Sequence, residues 1–411
     1  VAIMSKFLFA PFMMNLGESQ RLSKLAEHLW QNGHEIHVIG ESYYPFIFAN
    51  AAYIWHHCPA DNTIYNKERY DSFFSLSTDF NFLTEDEIEA VCDFERGLLK
   101  KEQFDAVITG YRLSIITSCR LEKIPLIWII SGATHISEIV ENSEGLFSNN
   151  KYFQSNRKRS KINQQQMKKT VEKMITSYSS NVSTWNTYLK RQGGEPFNNA
   201  LELFNGDLNL VADYSQFYDF PAESSYKIIG PILIDDVGFS SHEQKESSKI
   251  LLSFGTSFKK DWVETFLENL PKNRKYLLTT CGENMHLPGA HVETIDFIDF
   301  SKLESTIDFA IIHGGQGTVY AMAEQGIPFI GIPFFNEQFW NIKKFSKNQA
   351  ALLLENPTTQ NLAEIFNDFT EQLADYKQNM LTLTHQIKKE AQHSLEKAEA
   401  EIAAFILQNK R

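Results

Sequence analysis

A short apolar run, Asp308-Phe309-Ala310-Ile311-Ile312, leads directly into His313-Gly314-Gly315-Gln316-Gly317-Thr318, and this junction constrains the fold more than any other part of the chain. The run has the length and composition of a parallel strand buried on both faces. Three glycines then let the backbone approach a ligand closely, and Thr318 is expected to cap a helix that runs through Tyr320 and Met322 to Gly326. Past Gly326-Ile327-Pro328, the run Phe329-Ile330-Gly331-Ile332 reads as the next strand. The segment is therefore a βαβ unit whose ligand edge lies at the strand C-termini. Free N–H groups at the helix start, with the positive end of its dipole, suit a diphosphate without a metal, each such charge interaction contributing roughly 0.3 to 2 kcal/mol. His313 can add a side-chain donor. Glu337-Gln338, after Pro333-Phe334-Phe335-Asn336, emerges at the same edge, and a carboxylate beside an amide suits the hydroxyls of a hexose.

The rest of the chain reads as two α/β halves. Phe7 to Ala10 forms a strand, and a helix with Leu22, Leu25, Ala26, Leu29 and Trp30 at helical spacing stops at Gly33. Strands follow at Glu35 to Ile39, Ala106 to Ile108 and Leu126 to Ile130. Residues 56–100 and 136–200 are more polar and helical. Residues 1–225 form the first domain, 226–248 a linker that includes the polar stretch Ser240 to Ser248, and 249–387 the second domain, opening with the strand Lys249 to Ser253 and the turn Phe254-Gly255-Thr256. Ile387, Ala391, Leu395, Ala398, Ile402 and Phe405 place one helix over about 388–411.

With 411 residues and a hydrophobic fraction of 43%, the chain can bury large cores. A formal net charge of −12 argues against general affinity for nucleic acid. Cys58, Cys92, Cys119 and Cys281 show no C-x-x-C spacing, which suggests reduced thiols, a cytoplasmic setting and no zinc site. No apolar run has transmembrane length, and the first residues read as a strand rather than a signal peptide. Glu85-Asp86-Glu87 could suggest a metal, but Thr84 followed by Glu87 is a capping box, so no metal is expected.

The motif H-G-G-x-G-T, then G-x-P, then P-x-x-x-[DE]-Q, all in register, resembles the nucleotide-sugar signature of the UDP-glycosyltransferase superfamily. That resemblance implies a GT-B fold, α/β with two Rossmann-like domains facing across a cleft, the acceptor in the first domain and the donor in the second. It also implies that the final helix packs back on the first domain. Ser253-Phe254-Gly255-Thr256 matches the family's S-F-G-[ST], so Thr256, His313, Gly314, Gly315, Gln316, Gly317 and Thr318 are expected on the donor diphosphate. Phe297 and Ile298 are expected at the nucleobase, with a buried core phenylalanine as the competing reading. Glu337 and Gln338 are expected on the donor sugar. The expected co-substrate is a UDP-sugar, with no cofactor.

Two departures narrow the resemblance. Where most members carry G-H this chain has Gly17-Glu18, and Gly17-Glu18-Ser19-Gln20 looks like the G-D-x-Q of the branch with sterol and glycopeptide-antibiotic glycosyltransferases. Gly110 stands about where many members place the Asp that orients the His. An imidazole base needs such a partner and a carboxylate base does not, so Glu18 is the candidate base. The competing reading of Glu18 is a helix N-terminal acid favoured by the dipole. Ala321 replaces a ribose-binding Glu of plant-type enzymes, and Asp299-Phe300 replaces the usual P-Q. His28, His34 and His37 read as surface or strand-edge residues.

The expected reaction is an inverting, metal-independent hexosyl transfer, glucose from UDP-glucose, to a hydroxyl of a small lipophilic, aromatic or natural-product acceptor. Phe12 and Tyr111, with Phe46 and Phe48, lie in segments expected to face that acceptor, though core packing explains them equally. Residues 151–169 hold seven basic residues and no acid, which offers a peripheral contact with an anionic membrane, a solvated helix face being the plainer reading. Two further readings stay open, a nucleotide-sugar epimerase on the same fold and a catalytically silent auxiliary protein.

Overall fold

The computed structural model describes residues 4–41, 43–44, 46–66, 69, 80–143, 164–221, 224–234, 249–256, 258–300, 303, 307–355 and 362–409. The chain forms two compact units, Val1–Ile232 with Ala391–Arg411, and Leu233–Glu390. The polar stretch Ser240 to Ser248 and residues 151–163 lie outside the described residues.

In the first unit β1 (Lys6–Ala10) leads through α1 (Leu16–Gln31) to β2 (Glu35–Ile39), β3 (Ile54–His56) and α2 (Asp61–Ile64). Then come α3 (Glu85–Glu102), β4 (Ala106–Thr109), α4 (Leu113–Glu122), β5 (Leu126–Ile130), β6 (Leu208–Val211) and β7 (Tyr226–Ile228). The strands form one parallel sheet in the order β3-β2-β1-β4-β5-β6-β7. β7 lies in the segment expected as linker, because its backbone pairs with β6. The order reverses between β1 and β4. A sheet of this kind takes ligands outside the carboxyl ends of its strands at such a switch point.

α1 forms where the apolar spacing placed it. Asn15 accepts the amide of Glu18 at 3.2 Å as its N-cap, Leu22, Leu25, Ala26 and Leu29 are buried, and Gly33 beyond its end has φ +90°. Trp30 lies off that face and is exposed. Thr84 and Glu87 make the capping box in both directions. His37 is a correction: it is buried in mid-strand, bonded to His56 and Glu35 at 2.7 Å each, because alternate residues of an interior strand face a packed layer.

The terminal segment is two helices, Leu373–Ala391 and Ser394–Asn409, separated at Gln392-His393 rather than one. Ile387 is buried on the first, while Ala398, Ile402 and Ile406 of the second join the core formed by β1, β2 and α1. Glu399 on that terminal helix bonds His28 at 2.8 Å, Asn32 at 2.7 Å and His34 at 3.4 Å.

In the second unit β8 (Lys249–Ser253), α5 (Lys260–Glu268), β9 (Tyr276–Thr279), β10 (Val292–Ile295), β11 (Ile307–Ile312), α6 (Gln316–Glu324), β12 (Phe329–Gly331), α7 (Asn336–Lys347) and β13 (Ala351–Leu353) follow in order. Their parallel sheet runs β10-β9-β8-β11-β12-β13, again reversing once, between β8 and β11. Among the described residues no helix is long and apolar enough to cross a membrane.

Candidate active site

Each unit gathers its candidate residues at its own switch point. In the second, the turn after β8 carries Gly255 and Thr256, and the turn after β11 carries His313 to Gly315. His313 is buried with its ring wedged between two glycines. A Cβ on Gly255 would come within 2.7 Å of that ring, and one on Gly315 within 2.5 Å of Nε2. Burial holds the imidazole down at about 4, so it is neutral near pH 7, and Nδ1 meets the Ser253 carbonyl at 3.3 Å. A carbonyl only accepts, so Nδ1 carries the proton and Nε2 is left with a lone pair. A ring donation from His313 to phosphate thus requires the imidazolium.

α6 begins earlier than expected. Gly315 is its N-cap without any side-chain cap, and Thr318 sits inside the first turn rather than capping it. The early start follows from the glycines, which supply the turn while contributing no side-chain oxygen. The first-turn amides of Gln316, Gly317 and Thr318 have no intrahelical acceptor, as at any helix start, and are aligned with the dipole toward an anion. Gly314 adopts φ +88°, and a Cβ there would fall 2.8 Å from the Gln338 carbonyl and 2.5 Å from Ile342. The glycine turn is therefore packed directly on α7, and Asn341 Nδ2 donates to the Gly314 carbonyl at 3.1 Å.

The start of α7 completes this edge. Gln338 uses its side-chain oxygen to accept from the amides of Phe334 at 2.8 Å and Phe335 at 3.1 Å, so its Nε2 takes no part in this turn. Glu337 is half-buried in the same turn. Asn336 was not singled out in the sequence. It is buried, and its Oδ1 has no hydrogen-bond partner among the described residues. Phe297 and Ile298 follow β10 at the same sheet edge, Ile298 buried and Phe297 half-buried.

In the first unit Glu18 lies in the first turn of α1 with 1% of its surface exposed. Its carboxylate accepts the Phe12 amide at 3.1 Å on both oxygens and the Tyr111 amide at 3.1 Å. It therefore bridges the turns after β1 and β4. A Cβ on Gly110 would come within 2.2 Å of Glu18 Oε1, so the carboxylate fills the space that a side chain at 110 would take. Burial pushes the carboxyl up to about 8, opposed by the two amides, the Arg21 charge and Ser19. Phe12 and Tyr111 reach this site through their backbone. Their side chains are buried in the core, Phe12 beside Tyr65 and Tyr111 edge-on to Trp128.

Beside Tyr111, Arg112 is buried and forks onto both oxygens of Asp61 at 2.8 Å, with Nε on Glu95 at 2.8 Å. Glu95 also accepts from Ser114 and Ser118 at 2.6 Å each. Burial pushes the Glu95 carboxyl up while the guanidinium opposes it. Removing one partner of so buried a network costs roughly 3 to 5 kcal/mol. No sequence motif signals it, because its members come from α2, α3, α4 and the residue that caps α4.

Comparison with known proteins bears on the second edge most directly. Residues 305–406 match the family model described as UDP-glucoronosyl and UDP-glucosyl transferase. That part of the chain, about a quarter of its length, is similar to a UDP-glycosyltransferase domain. Within the curated relatives, UDP-glucuronosyltransferase 2B14 of Oryctolagus cuniculus is 34% identical over 76 residues, which is 18% of this chain and 14% of that protein's length. Whole-chain likeness lies in the fold. The glycotransferase of kitacinnamycin superposes with a TM-score of 0.66 at 13% identity, covering 97% of this chain and 98% of the other. The calicheamicin glycosyltransferase gives 0.63 at 12%, over 97% and 98%. The spinosyn rhamnosyltransferase complexed with thymidine diphosphate gives 0.60 at 12%, over 96% and 99%. The fold is GT-B, two Rossmann-like α/β domains.

Proposed function

We propose that this glycosyltransferase-domain protein moves a hexose from a UDP-sugar to a hydroxyl of a small acceptor, with inversion and without a metal. The observation that carries the proposal is the uncapped start of α6 set on the glycine turn, with α7 packed against it through Asn341 and Gly314. The amides of residues 314–318 and Thr256 would stabilise charge on the departing diphosphate, which is preorganised electrostatics aimed at a charge that grows in the transition state. Glu337, Gln338 Nε2 and Asn336 Oδ1 supply an acceptor, a donor and an acceptor for sugar hydroxyls.

Glu18 is the proposed base. Its ionised carboxylate takes the proton of the acceptor hydroxyl as that oxygen attacks the anomeric carbon, the bond from that carbon to the diphosphate oxygen breaks, and UDP leaves with the charge. The carboxyl lies at about 8, so transfer rises as the pH passes that value. A catalytically silent reading draws on one specific observation, that the Glu18 carboxylate is already engaged by two backbone amides and almost wholly covered.

Incubation with UDP-, dTDP- and GDP-sugars, each with and without a panel of phenolic and aliphatic alcohols, tests the proposal. The expected result is acceptor-dependent UDP release with a β-linked product from an α-donor. Conversion of donor alone to a new sugar would replace the transferase by an epimerase, and binding without turnover at pH 9 would favour the silent reading.

A further inference from the structure

Arg21 sits on α1 one turn beyond Glu18 and is 5% exposed. Its Nε is buried without a hydrogen-bond partner, and no described carboxylate forms an ion pair with it, among the described residues. The side chain folds back along the helix: Nη1 would lie 3.8 Å from a Cβ on Gly17, four residues earlier, and Asn15 Oδ1 3.9 Å from the same point. A long side chain on a helix leans toward the N-terminus in this way. The guanidinium is thereby set at the positive end of α1, at the switch point where β1 ends. Its charge also reaches Glu18.

A guanidinium offers five donors and cannot lose its charge, and removing such a group from water without a partner costs several kcal/mol. Arg112, 91 positions on in the same unit, shows the contrast, since it is equally covered but bonded to two carboxylates. Arg21 thus brings a fixed charge and a buried Nε donor, with no anion paired to it among the described residues. Glu18 does not supply it, because its oxygens are turned to the amides of Phe12 and Tyr111.

We propose that Arg21 is an oxyanion subsite of the acceptor site, so that the acceptor carries a carboxylate near the hydroxyl that is glycosylated. The proposal rests on the transferase reading for its chemistry but on this unit alone for its geometry. An acceptor carboxylate forking onto the guanidinium would set its hydroxyl beside Glu18 and would satisfy the orphaned Nε, a short charge-assisted pair. It names the acceptor class as hydroxy acids rather than neutral alcohols.

Paired probes of equal shape test it: 3- and 4-hydroxybenzoate against the corresponding hydroxybenzamides, with UDP-glucose as donor. The wild type is expected to favour the acid over the amide in KM by roughly 10- to 100-fold, the factor a hydrogen bond to a charged group supplies. In Arg21→Met the acid-to-amide ratio should collapse to about one, and Arg21→Lys should keep part of it. A second readout needs no turnover: 4-hydroxybenzoate should raise the melting temperature of the wild type and not that of Arg21→Met. Equal ratios in wild type and Arg21→Met, or equal melting shifts, overturn the subsite. If no transfer occurs but the melting shift follows Arg21, the subsite stands and the transferase reading falls. Phenyl phosphate shifting the melt more than hydroxybenzoate would replace the carboxylate by a phosphate.

Discussion

The two switch points are built in opposite ways. The edge of the second sheet is made from backbone: an uncapped helix start, a glycine turn at positive φ, and an imidazole wedged between two glycines. The edge of the first sheet is made from buried charge, with Glu18 between two turns, Arg112 between two acids and Arg21 without a described partner. Backbone donors need only a short local sequence and tolerate little added volume. Buried charges need partners from distant segments, and the carboxyls among them change state with pH.

The largest expected effect breaks the charged edge. Glu18→Gln should lower turnover by about 10²- to 10⁴-fold, the range for loss of a general base, with UDP affinity unchanged. Steady-state rates beside UDP titration calorimetry check it, and full activity in the variant would remove Glu18 from the mechanism. Next comes the backbone edge. Gly314→Ala combines a strained φ of +88° with a Cβ 2.8 Å from the Gln338 carbonyl and should weaken UDP binding by at least about 10-fold, as a shift of 1.4 kcal/mol or more. Gly17→Ala meets only ordinary contacts at 3.8 and 3.9 Å and should leave UDP binding as it is. The same calorimetry, run on both, checks the contrast.

The smallest effect sharpens the comparison through pH. The Glu18 carboxyl is raised to about 8 in the folded protein, from an ordinary 4.5. The folded state therefore holds this proton more tightly than the unfolded one. The stability so gained is complete below about pH 4.5 and is lost as pH rises through about 8. Glu18→Gln lacks this loss, so urea unfolding across pH 5 to 9 should show a wild-type decline of about 1 kcal/mol or more that the variant does not share. Parallel profiles would mean that Glu18 is not buried as a titrating acid.

The backbone edge was legible in the sequence because its parts are contiguous. Strand, glycine turn and helix each leave a local signature, and the strands at Phe7 to Ala10, Glu35 to Ile39 and Leu126 to Ile130 appear where their apolar runs are. What the motif did not show was the helix start at Gln316, which made Thr318 an internal residue, and the orphaned Oδ1 of Asn336. The charged edge was legible only at Glu18. Arg112 finds Asp61 51 positions away, and no spacing rule reaches that far. His37 was misplaced because periodicity alone does not say that both faces of a central strand are covered. The terminal helices were read as one because apolar spacing continues across the break at Gln392-His393.

The terminal helix has a consequence for how the protein is made. Ala398, Ile402 and Ile406 complete a core whose other buried walls are encoded between Phe7 and Ile232, and Glu399 gathers His28, Asn32 and His34 around one carboxylate. Domains fold as units, in order, while a chain is being synthesised. Here the first unit cannot close until the helix Ser394–Asn409 leaves the ribosome, whereas the second, Leu233–Glu390, is a continuous stretch and can fold before it. A nascent chain stalled before Ser394 would hold a finished second unit behind a first one whose apolar surface is still open to chaperones.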